Sequence, residues 1–237
     1  MHLRTKKLDI IRLENKKILT KKIYQIQQSK LDIEEIENEL IDIMVSTCIS
    51  HGKDENQIRQ ISQISKVLGQ SLGLGTQYCD MLEKAAKIYD IGNIAICMEV
   101  YSKDDKLSFE EFNIVKQHTL LGCNILTQVG CNFTDLAAII SKEHHEWWNG
   151  SGYPVQIKKE EINIASRIVA VADVVGALFR KRPGRSVWSY DKILDYIKQR
   201  SGVQFDENVI NVFLINQKAI REILMTDLES VPSAWYA

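Results

Sequence analysis

The chain has 237 residues, 45% of them apolar and 26% charged, enough to bury a sizeable core in one or two domains. Thirty Lys and Arg against 31 Asp and Glu leave a formal net charge of −1, so no overall field favours nucleic acid or an anionic membrane, and no DNA or RNA partner is expected. The longest apolar run, residues 168–179, is broken by Asp173 and too short to span a bilayer. The opening MHLRTKKLDII lacks the apolar core of a secretory signal, and five cysteines without a CxxC pair argue against a disulfide framework. A reduced, soluble, cytoplasmic protein is expected.

Only three prolines occur, Pro154, Pro183 and Pro232, and the long segments between them carry helical periodicity. Residues 5–45 place Ile33, Ile36, Leu40 and Ile43 at 3/4 spacing among Lys and Glu, which predicts an amphipathic helix. Its stripe is covered either by the chain's own domain or by a partner in a dimer coiled coil or signalling linker. Residues 1–47 are assigned to this helix, with homodimerisation as its expected role, and residues 48–237 to a second domain.

Short helices follow in that domain. Residues 56–72 set apolar side chains at 58, 61, 64, 67, 68 and 72, and residues 77–89 form the next helix. Ser108 and Glu111 make a capping box that opens a helix running to about Val129. Thr134 is expected to cap the segment that carries His144 and His145. Residues 161–180, rich in Ala, Ile and Val, are expected to be helical and buried all round, and two more helices close the chain near 189–200 and 206–225. No segment alternates strictly, so the fold class is all-α, a helical bundle preceded by a long amphipathic N-terminal helix.

Several polar residues fall on apolar faces. His118 shares a helix face with Ile114, Leu121 and Ile125, which points it inward. His144 follows Ile140 by four residues, and adjacent His145 lies about 100° round the same helix. Asp173 sits inside ASRIVAVADVVGALF, where an unpaired carboxylate is costly, and Asp90 poses the same problem inside KAAKIYDIGNIAI. Each has an ordinary explanation: a hydrogen-bonded core histidine, a surface pair, a helix cap for Asp90, an arginine partner for Asp173. Together, two carboxylates and three imidazoles form a ligand set that suits iron, manganese or zinc rather than calcium, and helical folds build such sites from facing helices.

The order AAKIYDIGNI, KLSFEEFNIVKQHTLLGCNIL, HHEWWNGSGYP, ASRIVAVADVVGALFRKRPGR and SGVQFDE resembles the HD-GYP domain, a bacterial branch of the all-α HD superfamily of metal phosphohydrolases, over about residues 50–215. The resemblance implies an HD-superfamily bundle and hydrolysis of cyclic di-GMP with two or three metal ions, often iron or manganese. It implies that Asp90 is the aspartate of the HD doublet, a bridging ligand and catalytic position. His118 matches the ligand of the K-x-H-T block, His144 and His145 the paired ligands of HHE, and Asp173 the aspartate of the A-D block. Gly152, Tyr153 and Pro154 form the GYP signature, tied in the family to substrate and partner contacts. Arg182 and Arg185 match residues that hold the dinucleotide's phosphates, a task that suits a guanidinium fork.

The sequence departs from the pattern in one neighbourhood. The doublet is Tyr89-Asp90, Asn93 stands where the family has a phosphate-contacting lysine, and Gly184 replaces the tyrosine of the RPY segment. Upstream, Lys53, Gln57 and Gln60 occupy positions for Glu, His and Arg, with His51 nearby outside the simplest alignment. Asp90, His118, His144 and His145 surround one metal in the family, so at most one transition metal per chain is expected. Beside a purely structural signalling module without metal, two functions follow from the resemblance. One is a degenerate signalling protein that binds metal, cyclic di-GMP or a related nucleotide, or a protein partner, with little or no hydrolysis. The other is an active phosphodiesterase with a reduced metal site.

Overall fold

The computed structural model describes residues 25, 28, 29, 32–97, 100, 107–180 and 187–226. It divides into two compact units, residues 1–43 and 44–237. Much of the predicted 5–45 helix lies outside the described residues, but 32–50 are helical (α1). Within the first unit Ile33, Ile36 and Ile43 are exposed, at 57%, 63% and 64%.

In the second unit Asp54 caps α2 (Glu55–Ser71), its carboxylate accepting from the amides of Asn56 and Gln57. Ile58, Ile61, Ile64 and Leu68 follow at helical spacing and are buried, as their periodicity predicts. Helix α3 (Thr76–Ala85) leads through a turn to a 3-10 segment, Ile91–Ala95, which has Asp90 at its head. The capping box at Ser108 and Glu111 is present.

The helix it opens is not continuous to Val129: α4 (Phe109–Lys116) stops, and α5 (His118–Thr127) begins after Gln117. At the break His118 Nδ1 and Thr119 Oγ1 take the carbonyls of Val115 and Lys116, at 2.6 and 2.9 Å. Such side-chain bonds compete with the helical ladder. The break buries His118 and leaves Ile114, expected beside it, 42% exposed.

Helix α6 (Asn132–Glu143) is capped by Cys131 rather than Thr134, which sits inside the first turn and closes back on Cys131 through its hydroxyl. His144 is the C-cap and His145 lies beyond the helix. Helix α7 (Ile164–Leu178), capped by Asn163, buries Ile168, Val169, Val171 and Val175. It is not buried all round, since Asp173, Val174 and Ala177 are half-exposed. Helices α8 (Tyr190–Gln199), α9 (Glu207–Ile215) and α10 (Gln217–Met225) complete the domain. The expected 206–225 helix divides at Asn216, whose amide is held by Val212 O and Ser71 Oγ, both at 2.7 Å. Among the described residues no strand occurs, only an isolated bridge between Ser201 and Phe205. The architecture is all-α.

Helix α7 packs against α2, and α6 packs against both α3 and α5. One contact positions the site. A Cβ on Gly92 would collide with the His118 carbonyl and the Gly122 backbone, and a Cβ on Gly122 would collide with Ser141 Oγ. Ser141 in turn donates to Thr119 O at 3.2 Å. The 3-10 segment and α5 therefore meet backbone to backbone at Gly92, and only the small Ser141 side chain stands between Gly122 and α6. Gly122→Ala is expected to cost about 1–3 kcal/mol, the usual range for overpacking a filled interior. Urea unfolding with helical circular dichroism retained in the native baseline would measure it.

Candidate metal centre

Three elements that meet at Gly92, Gly122 and Ser141 each deliver part of one cluster. Asp90 heads the 3-10 segment, His118 opens α5, and His144 and His145 follow directly on the end of α6. His118 Nδ1 lies 2.6 Å from Val115 O, and His144 Nδ1 lies 3.0 Å from both Ile140 O and Ser141 O. Carbonyls only accept, so in each neutral ring Nδ1 carries the proton and Nε2 a lone pair. Those two Nε2 atoms face each other at 3.3 Å.

Two nitrogens on one tetrahedral ion, each bound at about 2.0–2.1 Å, stand about 3.3–3.4 Å apart. Donor atoms of His118, His144 and His145 all lie within 4.8 Å of one another. Asp90 Oδ1 approaches His118 Nε2 at 3.3 Å and His144 Nε2 at 4.0 Å. It is buried and accepts no hydrogen bond among the described residues. A buried carboxylate oxygen facing two imidazole lone pairs is costly alone and suits a cation among them. The cluster can thus hold a divalent metal.

The electrostatics keep these donors in ligand form. Burial lowers the pKa of His144 against the opposing pull of Asp90, and burial with the neighbouring imidazoles lowers His145 well below its usual value. Burial pushes the Asp90 carboxyl up, but the Lys53 ammonium, joined at low pH by the charge of the two nearest imidazoles once they are protonated, outweighs it and holds the group far below the usual carboxylate range.

The substituted positions are occupied by internal contacts. Lys53 Nζ forms an ion pair with Asp90 Oδ2. Tyr89 is buried, its ring edge against His144 and its hydroxyl donating to Asp173 Oδ1 at 2.7 Å. Asp173 is therefore held by a phenol, not by an arginine. Gln57 Oε1 accepts from Arg180 NH1 at 2.9 Å, and Arg180 Nε lies 3.2 Å from Asp54. Asn93 turns its amide back onto Asp90 O at 3.0 Å. Gln60 donates to Leu224 O, tying α2 to α10. His51 Nε2 lies 3.4 Å from Ile96 O and is not in the histidine cluster. Arg182, Gly184 and Arg185 lie outside the described residues.

The loop after His145 holds the pair in place. Gly152 packs so close to Trp147 N and His145 O that no Cβ fits, and Tyr153 N bonds His145 O at 3.1 Å. The Tyr153 ring then packs against His145, centroids 4.7 Å apart, and meets Phe112 edge-on at 6.1 Å. Pro154 follows through a cis peptide bond.

Glu146 was not marked by the sequence, yet it is buried and accepts from the amides of Val155 (2.6 Å) and Gln156 (2.9 Å). Burial raises its pKa, while those amides pull the other way. Its adjacency to the histidines was the available signal. Arg180 was missed as well, and its partner Gln57 lies 123 residues away, beyond any local pattern.

An all-α bundle that gathers an aspartate from a turn and histidines from two helices is the architecture of an HD domain protein. The profile of the HD domain family matches residues 36–209, and the chain belongs to that family. It is 34% identical over 166 residues to the cyclic di-GMP phosphodiesterase response regulator RpfG of Xanthomonas campestris pv. campestris, covering 70% of this chain and 44% of RpfG. It is 31% identical over 212 residues to a cyclic di-GMP phosphodiesterase of Thermotoga maritima, covering 87% of this chain and 58% of that protein. The chain spans about half the length of these curated relatives. A cyclic GMP-AMP-specific phosphodiesterase of Vibrio cholerae has the same fold, with a TM-score of 0.57 at 21% identity over 81% of this chain and 52% of that one.

Two predictions follow from the geometry. Glu146→Ala leaves two loop amides without their acceptor and is expected to cost about 1–3 kcal/mol in urea unfolding. In the metal-free protein, His144 and His145 take up protons less readily when folded than when unfolded, where they titrate near 6.5. The unfolded state then binds more protons below that pH, so stability is level above about 6.5 and falls on acidification. Asp90, held low, adds a contribution present above its ordinary value of 3.8 and lost below it. Urea midpoints measured from about pH 8 to pH 5 test the sign for the imidazoles.

Proposed function

We propose that this chain is a cyclic-dinucleotide signalling module of the HD-GYP branch that holds one transition metal and hydrolyses cyclic di-GMP slowly or not at all. The observation that carries the reading is the convergence of His118, His144 and His145, the one group among the described residues whose ligand atoms all lie within 4.8 Å of one another, with Asp90 Oδ1 3.3 Å from His118 Nε2. Nitrogen with oxygen ligands suits iron, manganese or zinc. When bound, such an ion supplies Lewis-acid polarisation of a phosphate oxygen.

Efficient phosphodiester cleavage also needs charge neutralised on both the attacking and the leaving oxygen, a task that adjacent metals share. Here Lys53, Gln57 and Tyr89 stand at neighbouring ligand positions, and the Asn93 amide is spent on Asp90 O. Nucleotide contact is assigned to the GYP loop with Tyr153, whose phenol stays protonated because burial and the Asp90 and Asp173 carboxylates raise its pKa. Arg182 and Arg185 are assigned to the phosphates. The relatives named as cyclic di-GMP phosphodiesterases support the ligand class. The exposed Ile33, Ile36 and Ile43 are assigned to a homodimer contact.

Loaded with iron or manganese under anaerobic conditions, the protein is expected to bind cyclic di-GMP in calorimetry. Its turnover should lie below about one per second, the low end of ordinary enzymes. Faster turnover would make it an active phosphodiesterase with a reduced site. Light scattering at tens of micromolar, an order-of-magnitude choice for weak coiled coils, should report a dimer, and a monomer would remove the assignment of the isoleucine stripe.

A further inference from the structure

Resting on the single-metal reading of the same site, we infer that the Lys53 ammonium is a built-in replacement for a second metal ion and shares Asp90 with the ion held by the histidines. Asp90 offers its two oxygens to two different places. Oδ1 faces His118 and His144 and accepts no hydrogen bond among the described residues, while Oδ2 is paired with Lys53. A carboxylate that serves one cation through each oxygen is a bridge, and here one of the two cations belongs to the chain.

The ammonium is fixed in place. Lys53 N bonds Cys48 O at 3.0 Å, and the next residue, Asp54, caps α2, so the backbone on either side is pinned. The Lys53 side chain is 16% exposed and that of Asp90 15%, so the pair interacts with little screening by water. The groups around it are matched in the same way. Asp173 receives the Tyr89 hydroxyl, and the Gln57 carbonyl oxygen receives the Arg180 guanidinium. Hydrogen-bond donors and an ammonium from the chain stand where a second ion would need empty lone pairs.

Two consequences separate this role from that of an ordinary structural lysine. The ammonium and the metal draw on the charge of one carboxylate, so each weakens the other's hold on it. Removing the ammonium must then tighten metal binding, a reciprocal coupling of the kind that links any two sites. Without metal, the Lys53 ammonium is the cation paired directly with Asp90 Oδ2, so its removal must destabilise the metal-free protein more than the loaded one.

The test uses the full chain as wild type, Lys53→Met and Lys53→Glu. Each is stripped by chelation, titrated with manganese in equilibrium dialysis, and melted with and without the ion. Wild type is expected to saturate at about one manganese per chain, the number its histidine set supports. Lys53→Met should bind the same number about 5–150-fold more tightly, the ordinary range of coupling. It should also melt lower than wild type when metal-free, with the gap narrowed on loading. Lys53→Glu should admit a second ion, and if it does not fold, Lys53→Met decides. Manganese bound no more tightly by Lys53→Met, or two ions on wild type, overturns the inference. If wild type takes no metal, the single-metal reading fails by itself. A lower metal-free melting point for Lys53→Met then still upholds the ammonium as the partner of Asp90, and an unchanged one overturns it.

Discussion

The site depends on one close approach of backbone to backbone. Gly92 lies against the carbonyl of His118 and the backbone of Gly122, and Gly122 lies against Ser141. These residues belong to the 3-10 segment, α5 and α6, the elements that supply Asp90, His118 and the His144–His145 pair. A side chain at Gly92 would press on the backbone of α5, between the elements whose approach sets Asp90 Oδ1 3.3 Å from His118 Nε2. Interiors are packed densely enough that such an intrusion cannot be absorbed elsewhere at little cost. The approach that shapes the cluster thus depends on a missing Cβ before any ligand chemistry enters.

Given that placement, proton positions do the rest. Backbone carbonyls at Val115, Ile140 and Ser141 claim the Nδ1 protons, which leaves the Nε2 atoms turned toward one another. The helix break at Gln117 matters for the same reason, because the His118 ring reaches Val115 O only where the ladder is interrupted. On the other side of Asp90 the chain supplies its own positive charge and its own hydroxyl. The two halves of the neighbourhood differ in kind, one lacking protons and the other rich in donors.

Sequence patterns made the helices legible because burial follows a 3.6-residue period, and the capping box at Ser108 was visible as four letters. His118, His144 and Asp90 were recognisable as polar groups on apolar faces, and all lie in the cluster. The division at Gln117 was not legible, since it arises from side chains competing for two carbonyls rather than from a glycine or proline. Thr134 is a preferred capping residue by type, but here its hydroxyl closes back on Cys131, which stands at the cap position. Lys53 was visible as a cation at an acid's position, but its pairing with Asp90 spans 37 residues and needed coordinates. The same holds for Arg180 and Gln57. The dimer stripe and the phosphate arginines fall partly or wholly outside the described residues.

Glu146 has a consequence for how the cluster communicates with solvent. Its carboxylate fastens the amides of Val155 and Gln156, and the strap so closed presses Tyr153 onto one face of His145. The same imidazole has His144 and His118 as further ring neighbours, with centroids 4.0 and 5.1 Å away. On the Tyr153 flank, release of whatever the ring holds requires the strap to open, and opening means breaking charge-assisted bonds to a buried acid. For an ion held there, exchange through that flank would follow the strap's motion, and loop motion is slower than side-chain rotamer motion. Residence time and affinity at this centre are in that respect governed by different residues.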